Sequence, residues 1–221
     1  MKKLYENLKA DLVSERVVEV DFIIEMFDKY FEPGNVVLDI GGIPSRQYEN
    51  QPIIDTIKKS GAQYYVADHR GGDFQGDFVN YNFEDKKFDI GIFLSSLEHF
   101  PQCTEGDMVV REKEDVKGFH KALSLLNDGG IVFLTIPYGV DQWYNYHQSY
   151  DHNTILELTE GSDIIEECIY VLNSDNKWES KTAEEVKEIE INNKRVVCVG
   201  CFICKKNETR YCSNRFGSNR N

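Results

Sequence analysis

Proline is scarce in this chain, five among 221 residues, and no stretch is rich enough in proline or serine to link two domains. No internal repeat is visible. Long apolar runs are also missing: the longest, such as 131–136, fall far short of the roughly 20 residues needed to cross a bilayer. The start, Met1-Lys2-Lys3-Leu4-Tyr5-Glu6, passes into polar residues without an apolar stretch, so no secretory signal is expected. The expectation is a cytoplasmic protein with no membrane partner. Positive charge is in deficit, 25 Lys and Arg against 38 Asp and Glu, for a net charge of −13. Residues 205–221 hold five of those cations against Glu208 alone, which leaves residues 1–204 at −17. So acidic a body repels a phosphate backbone, which excludes nucleic acid as the expected partner. The stretch 205–221 has no periodicity and reads as a disordered basic tail behind one domain, 1–204.

What is present is enough apolar material, 41%, for one real core. Three of the six cysteines fall in Cys198-Val-Gly-Cys201-Phe-Ile-Cys204, a spacing that resembles a metal run. The surrounding apolar sequence reads instead as a buried strand. There Cys198 and Cys204 face one side and Cys201 the other, so they cannot converge on one ion.

Val17, Val20, Ile24, Phe27 and Phe31 repeat at helical spacing, with Ser14 as a candidate N-cap and Pro33-Gly34 as the stop. Val36-Val-Leu-Asp-Ile40 is a buried strand opening into Gly41-Gly42. Pro52 fits the first turn of a helix carrying Ile53, Ile54 and Ile57. Strands follow at 63–67 and 88–94, with a weak one at Phe78-Val79 between them. Val116, Phe119, Leu123 and Leu126 mark a helix, 131–136 a strand, and 154–160 a helix. Strands at 164–172 and 195–204 complete the set.

Alternating strands and helices, with strands apolar throughout, predict an α/β fold: a mostly parallel seven-stranded sheet covered by helices on both faces. Ligands of such sheets bind at the carboxyl ends of the strands. The polar clusters fall there: Asp39 to Gly42, Asp68 to Gly72, Asp77, Ser95 to His99 and Tyr138 to Asp141. Gly41-Gly42 permits close backbone approach. The run lacks the third glycine of a dinucleotide site and no lysine follows to hold phosphate, so NAD is disfavoured. Asp39 would repel a pyrophosphate but suits a ligand carrying an amine and a sulfonium. Asp68, ending the next strand, can accept both hydroxyls of a ribose.

The stretch Gly76-Asp-Phe-Val-Asn-Tyr-Asn-Phe-Glu-Asp-Lys-Lys-Phe-Asp89 resembles the class I methyltransferase pattern Gly-Asp-Ala-x-x-Leu-Pro-Phe-x-x-x-x-Phe-Asp. Leu94-Ser-Ser-Leu-Glu-His99 and Leu126-Asn-Asp-Gly-Gly130 are similar to that family's strand-end and turn motifs. The resemblance implies a Rossmann-like fold and S-adenosyl-L-methionine (SAM) as cofactor, with S-adenosyl-L-homocysteine as product. It implies a cofactor site of Asp39, Gly41, Gly42, Asp68, His69, Asp77, Phe78 and Ser95, with Asp77 and Phe78 bracketing adenine. Ser14-Glu-Arg-Val-Val-Glu19, Pro137-Tyr-Gly139, Trp143 to Asp151 and Lys177-Trp178-Glu179 further resemble small methyltransferases of surface-polysaccharide gene clusters.

That narrower resemblance implies O-methylation of a sugar or nucleotide-sugar type small molecule. His99 and Glu98 are the candidate catalytic residues, since imidazole titrates near neutral pH. Tyr138, Trp143, Tyr146 and His147 are the candidate acceptor residues, and Phe100 to Asp115 is a candidate acceptor wall. Glu98, His99 and His147 partly resemble a metal ligand set, but Ser95 stands where a further carboxylate is needed, so no metal is expected. The other readings are N-methylation of a small amine and a non-catalytic binding subunit. A homodimer is the default expectation for a soluble protein.

Overall fold

A computed structural model describes residues 14–42, 47–100, 113–144, 147–190 and 196–208. In chain order the elements are α1 (Arg16–Tyr30), β1 (Val36–Ile40), α2 (Gln47–Lys59), β2 (Gln63–Asp68), β3 (Gly71–Gly72), β4 (Phe74–Gln75) and β5 (Phe88–Leu94). Then come α3 (Glu114–Leu125), β6 (Leu126–Pro137), β7 (Gln142–Tyr144), β8 (His147–Ser149), α4 (His152–Leu158), β9 (Ser162–Leu172), β10 (Trp178–Lys181), α5 (Ala183–Val186) and β11 (Cys198–Lys206).

The central sheet runs β10-β9-β11-β6-β5-β1-β2-β4. From β4 to β6 every pairing is parallel. β11 runs antiparallel between β6 and β9, and β10 closes the far edge as an antiparallel neighbour of β9. This is the Rossmann-like α/β sheet, with eight strands rather than the expected seven. β1 leads through α2 to β2 on one side, and the chain then crosses back to β5 on the other. The order reverses between β1 and β5, the point at which open α/β sheets bind ligands in a crevice outside the carboxyl ends of the strands.

The pleat divides each central strand between two core layers. Val37, Ile90, Ile92 and Phe133 pack with Val20, Ile23, Phe27, Ile53 and Ile57 of α1 and α2. Leu38, Ile40, Phe93 and Leu134 pack with Phe119, Ala122, Ile155 and Leu158 of α3 and α4. Cys198 and Cys204 enter the second layer and Cys201 the first, each fully buried. Burial pushes the Cys198 and Cys204 thiols up to about 12 and drives Cys201 well above its usual range, so they pack as small apolar groups.

Several sequence expectations need correction. Phe78-Val79 is a turn, not a strand; Phe78 is buried in an aromatic cluster, and the two-residue β4 pairs with β2 in its place. The buried face of α1 is Glu19, Val20, Phe22, Ile23, Met26 and Phe27, rotated from the expected stripe. Glu15 is the α1 N-cap, without a side-chain capping bond, while Ser14 Oγ accepts from the Arg16 N–H at 3.3 Å. Pro52 lies inside α2, which begins at Gln47. β11 extends through Lys206, two residues past the expected end of the domain, and 209–221 lie outside the described residues. No helix among the described residues is long and apolar enough to cross a membrane.

Candidate functional site

β1 ends at Ile40 and turns on Gly41, whose φ of +81° favours glycine. Its N–H donates to Ala67 O at 2.8 Å, tying the turn to β2. A Cβ on Gly41 would lie 2.5 Å from Ser96 Cβ, and one on Gly42 would lie 2.4 Å from Asp39 Oδ2. The glycines thus let the β1 and β5 turns touch and let the Asp39 carboxylate fold over the turn. Asp39 is 5% exposed. Its Oδ2 accepts from the Tyr64 hydroxyl at 2.6 Å, and its Oδ1 is buried with no partner. Burial raises its carboxyl to about 6, against the lowering effect of the Tyr64 bond.

Asp68 ends β2, equally buried, and its Oδ1 accepts the Arg70 N–H at 2.7 Å. His69 is exposed, its Nδ1 lying 3.8 Å from Asp68 Oδ1, and Arg70 Nε donates to its Nε2 at 3.1 Å. Asp77 is exposed and caps its own turn, accepting from Val79 N–H at 3.1 Å and Asn80 Nδ2 at 2.7 Å. The Phe78 ring is turned inward, edge-on to Phe83, Phe93 and Phe100 with centroids 5.6, 6.2 and 6.0 Å away.

At the end of β5, Ser95 adopts φ +41°, a left-handed conformation costly for a residue with a Cβ. Its N–H donates to Thr135 O and Oγ1, both at 3.1 Å. Its hydroxyl donates to Glu19 Oε1 of α1. Glu19 has no exposed surface, and its Oε2 forms an ion pair with Arg16 Nη1 at 3.0 Å. Arg16 Nη1 also donates to Leu94 O at 3.3 Å. Next, Ser96 Oγ donates to Ile40 O at 2.6 Å. The turn Leu97–His99 then presents Glu98, 2% exposed, with Oε2 buried and unpartnered. Burial, reinforced by Glu19 and Glu15 and opposed by a backbone hydrogen bond and by Arg16, drives the Glu98 carboxyl well above its usual range. His99 is half exposed, its Nε2 3.9 Å from Glu98 Oε1.

The candidate acceptor residues divide. Tyr138 is 1% exposed and packs on Phe202 with centroids 6.0 Å apart, a core side chain whose hydroxyl burial pushes up to about 12. Trp143 is half buried in the β7–β8 hairpin, opposite Gln148, and β8 packs against the Leu97–His99 turn. His147 pairs with Tyr144 by backbone register, and its side chain lies outside the described residues, as do Tyr146 and 101–112 of the expected acceptor wall.

The fold therefore brings Asp39, Gly41, Gly42, Asp68, Ser95, Glu98 and His99 to the ends of β1, β2 and β5. It keeps Phe78 and Tyr138 in the core. Sequence reading gave no site role to the supports: Arg16 and Glu19, quoted only within the narrower resemblance, and Tyr64 and Thr135. The signal for Glu19 was an acid inside the apolar face of a helix. Chemically, the crevice offers buried carboxyls with spare acceptor capacity and a tight glycine turn. That suits a ligand bearing an ammonium, a sulfonium and a ribose diol, and the Asp39 carboxylate disfavours a pyrophosphate. Among the described residues no group of three or more His, Cys, Asp or Glu is arranged to hold a metal ion.

The sequence model of the family described as "Caenorhabditis protein of unknown function, DUF268" matches residues 63–199. No curated protein sequence matches the chain. Among solved structures, the [4+2]-cyclase SpnF is similar with a TM-score of 0.58 at 14% identity, over 90% of this chain and 84% of that one. The Haemonchus contortus phosphoethanolamine N-methyltransferase 2, in complex with phosphomonomethylethanolamine and S-adenosylhomocysteine, is similar with a TM-score of 0.52 at 14% identity. That match spans 86% of this chain and about half, 53%, of the other. At such identities the likeness is one of fold, the Rossmann-like fold of SAM-dependent methyltransferases.

Proposed function

The chain belongs to the DUF268 family, and we propose that it is a SAM-dependent methyltransferase acting on a small molecule, with a sugar-type hydroxyl as acceptor. The observation that carries the reading is the crevice between β1 and β5, where Asp39 Oδ1 is buried without a partner beside the Gly41-Gly42 turn and Asp68. These groups fit SAM: Asp39 suits its ammonium end, Asp68 its ribose hydroxyls, and the glycine turn a close approach of its backbone. Asp77, exposed at the turn before the Phe78 cluster, stands on the adenine side of this placement.

When bound, SAM supplies a methyl group activated by its sulfonium. The chain's task is then to orient an acceptor in line with that bond, exclude water and take one proton. His99, half exposed and 3.9 Å from Glu98, is the residue assigned to take the proton in this reading. Trp143, on the hairpin against the same turn, offers an aromatic face to a sugar ring. Amine methylation is the second reading, favoured by the buried and unpartnered Glu98 Oε2, which would accept an N–H of a neutral amine acceptor.

Methyl-labelled SAM, offered with a panel of sugars and a panel of simple amines, tests the proposal. Label in a sugar hydroxyl is the expected result. Label only in amines would replace the acceptor assignment by the second reading. Cofactor binding with no transfer to either panel would favour a non-catalytic binding subunit and overturn the enzymatic reading.

A further inference from the structure

None of the cofactor-site residues named by the methyltransferase pattern lies on α1, yet that helix reaches the site with a charged pair. Its other buried positions, Val20, Phe22, Ile23, Met26 and Phe27, are apolar, whereas Glu19 is wholly buried and ion-paired to Arg16. A buried ion pair is a poor route to stability, because desolvation offsets most of the attraction. Its bonds show what it holds instead. Glu19 Oε1 accepts from the hydroxyl of Ser95, and Arg16 Nη1 donates to the carbonyl of Leu94 at 3.3 Å. The helix therefore grips two consecutive residues at the carboxyl end of β5.

We propose that Glu19 and Arg16 are positioning residues of the cofactor site, which hold the turn after β5, and through it the glycine turn after β1, in their binding shape. The inference rests on the methyltransferase reading of that site. Ser95 is held left-handed at φ +41° by its N–H, which donates to both the carbonyl and the hydroxyl of Thr135, and by one side-chain bond to Glu19. Ser96 follows, and its Oγ donates to Ile40 O at 2.6 Å while its Cβ fills the space left open by Gly41. Packing there is so close that a Cβ on Gly41 would fall 2.5 Å from Ser96 Cβ. A shift of the Ser95 backbone thus moves Ser96 against the Gly41 turn, because close-packed interiors transmit displacement. The path runs Arg16 and Glu19 to Leu94 and Ser95, then to Ser96, Ile40 and Gly41.

Calorimetric titration of S-adenosylhomocysteine into the full chain tests the proposal, with a melting curve for each variant. Glu19→Ala and Ser95→Ala should each weaken binding about tenfold, the scale of releasing one strained residue. The double variant should be no more than about threefold weaker than either, since both break the same bond. Glu19→Gln, whose amide oxygen can still accept from Ser95, should stay within about threefold of the wild type. Asp28→Ala, on the exposed side of α1, is the control. Should Glu19→Ala fail to fold, Arg16→Met takes its place in the cycle with Ser95→Ala. Losses that multiply in the double variant, or a lowered melting point with unchanged affinity, would overturn the proposal while leaving the cofactor reading intact. A wild-type chain that binds no S-adenosylhomocysteine would overturn both.

Discussion

The Tyr64 hydroxyl on β2 donates to Asp39 Oδ2 on the neighbouring strand β1 at 2.6 Å, while Oδ1 of the same carboxylate is buried without a partner. One bond does not offset desolvation of the whole group, so the Asp39 carboxyl rises to about 6 from an unfolded value near 4. Between those values the folded chain keeps a proton that the unfolded chain has lost. Stability therefore falls as pH rises through that window, and the penalty is fully present above about 6. Asp39→Asn keeps an acceptor for Tyr64 and removes the charge. Thermal melts should show it more stable than wild type at pH 7 by up to about 3 kcal/mol, with the gap closing by pH 4. A difference that does not vary with pH would contradict this.

Strands buried on both faces were legible because their sequences are apolar apart from Asp39, Asp89 and Thr135: 36–40, 88–94 and 131–136 all pair in the sheet. Phe78-Val79 misled because an aromatic anchored in a turn looks like a strand fragment, whereas β4 is too short to leave a period. β10, Trp178-Glu-Ser-Lys181, is a largely polar edge strand and gave no apolar signal. In α1 the apolar spacing located the helix but not its buried side, because Glu19 takes a place that the pattern reserves for an apolar group. The same logic governs the site. Residues in loops at strand ends stood out, while Arg16 and Glu19 entered only as part of segment 14–19 of the narrower resemblance, with no site role, because their partners lie far away in sequence.

Tyr150 is 1% exposed and donates its hydroxyl to the buried Asp115 at 2.8 Å, joining the strand-end hairpin region to the start of α3. Tyr150→Phe keeps the ring but strips one oxygen of Asp115 of its donor. Denaturant unfolding should report a loss of roughly 1–3 kcal/mol. No loss would mean that water or another donor replaces the bond.

Gly41 combines a positive φ with a forbidden Cβ contact, so Gly41→Ala should be costly twice over: about 1–2 kcal/mol for the left-handed conformation and about 1–3 for the overlap with Ser96. Gly34 has φ +94° but nothing within 4 Å of a Cβ, so Gly34→Ala should show only the conformational part. Paired melts of the two variants separate the terms; equal losses would show that the Ser96 contact relaxes freely.

His99 is half exposed and 3.9 Å from Glu98. His99→Ala should leave the melting temperature and the affinity for S-adenosylhomocysteine near wild type. Methyl transfer should fall by about 10²-fold or more, the usual contribution of a general base. Full turnover in that variant would remove His99 from the chemistry.

The central claim is that the β1–β5 crevice binds SAM. Calorimetric titration of SAM, S-adenosylhomocysteine and, separately, NAD into the purified chain and into Asp68→Ala tests it most directly. The account predicts saturable binding of both adenosyl ligands, no binding of NAD, and loss of the adenosyl affinity when the Asp68 carboxylate is removed. Binding of NAD, or no binding of either adenosyl ligand to the wild-type chain, would contradict it.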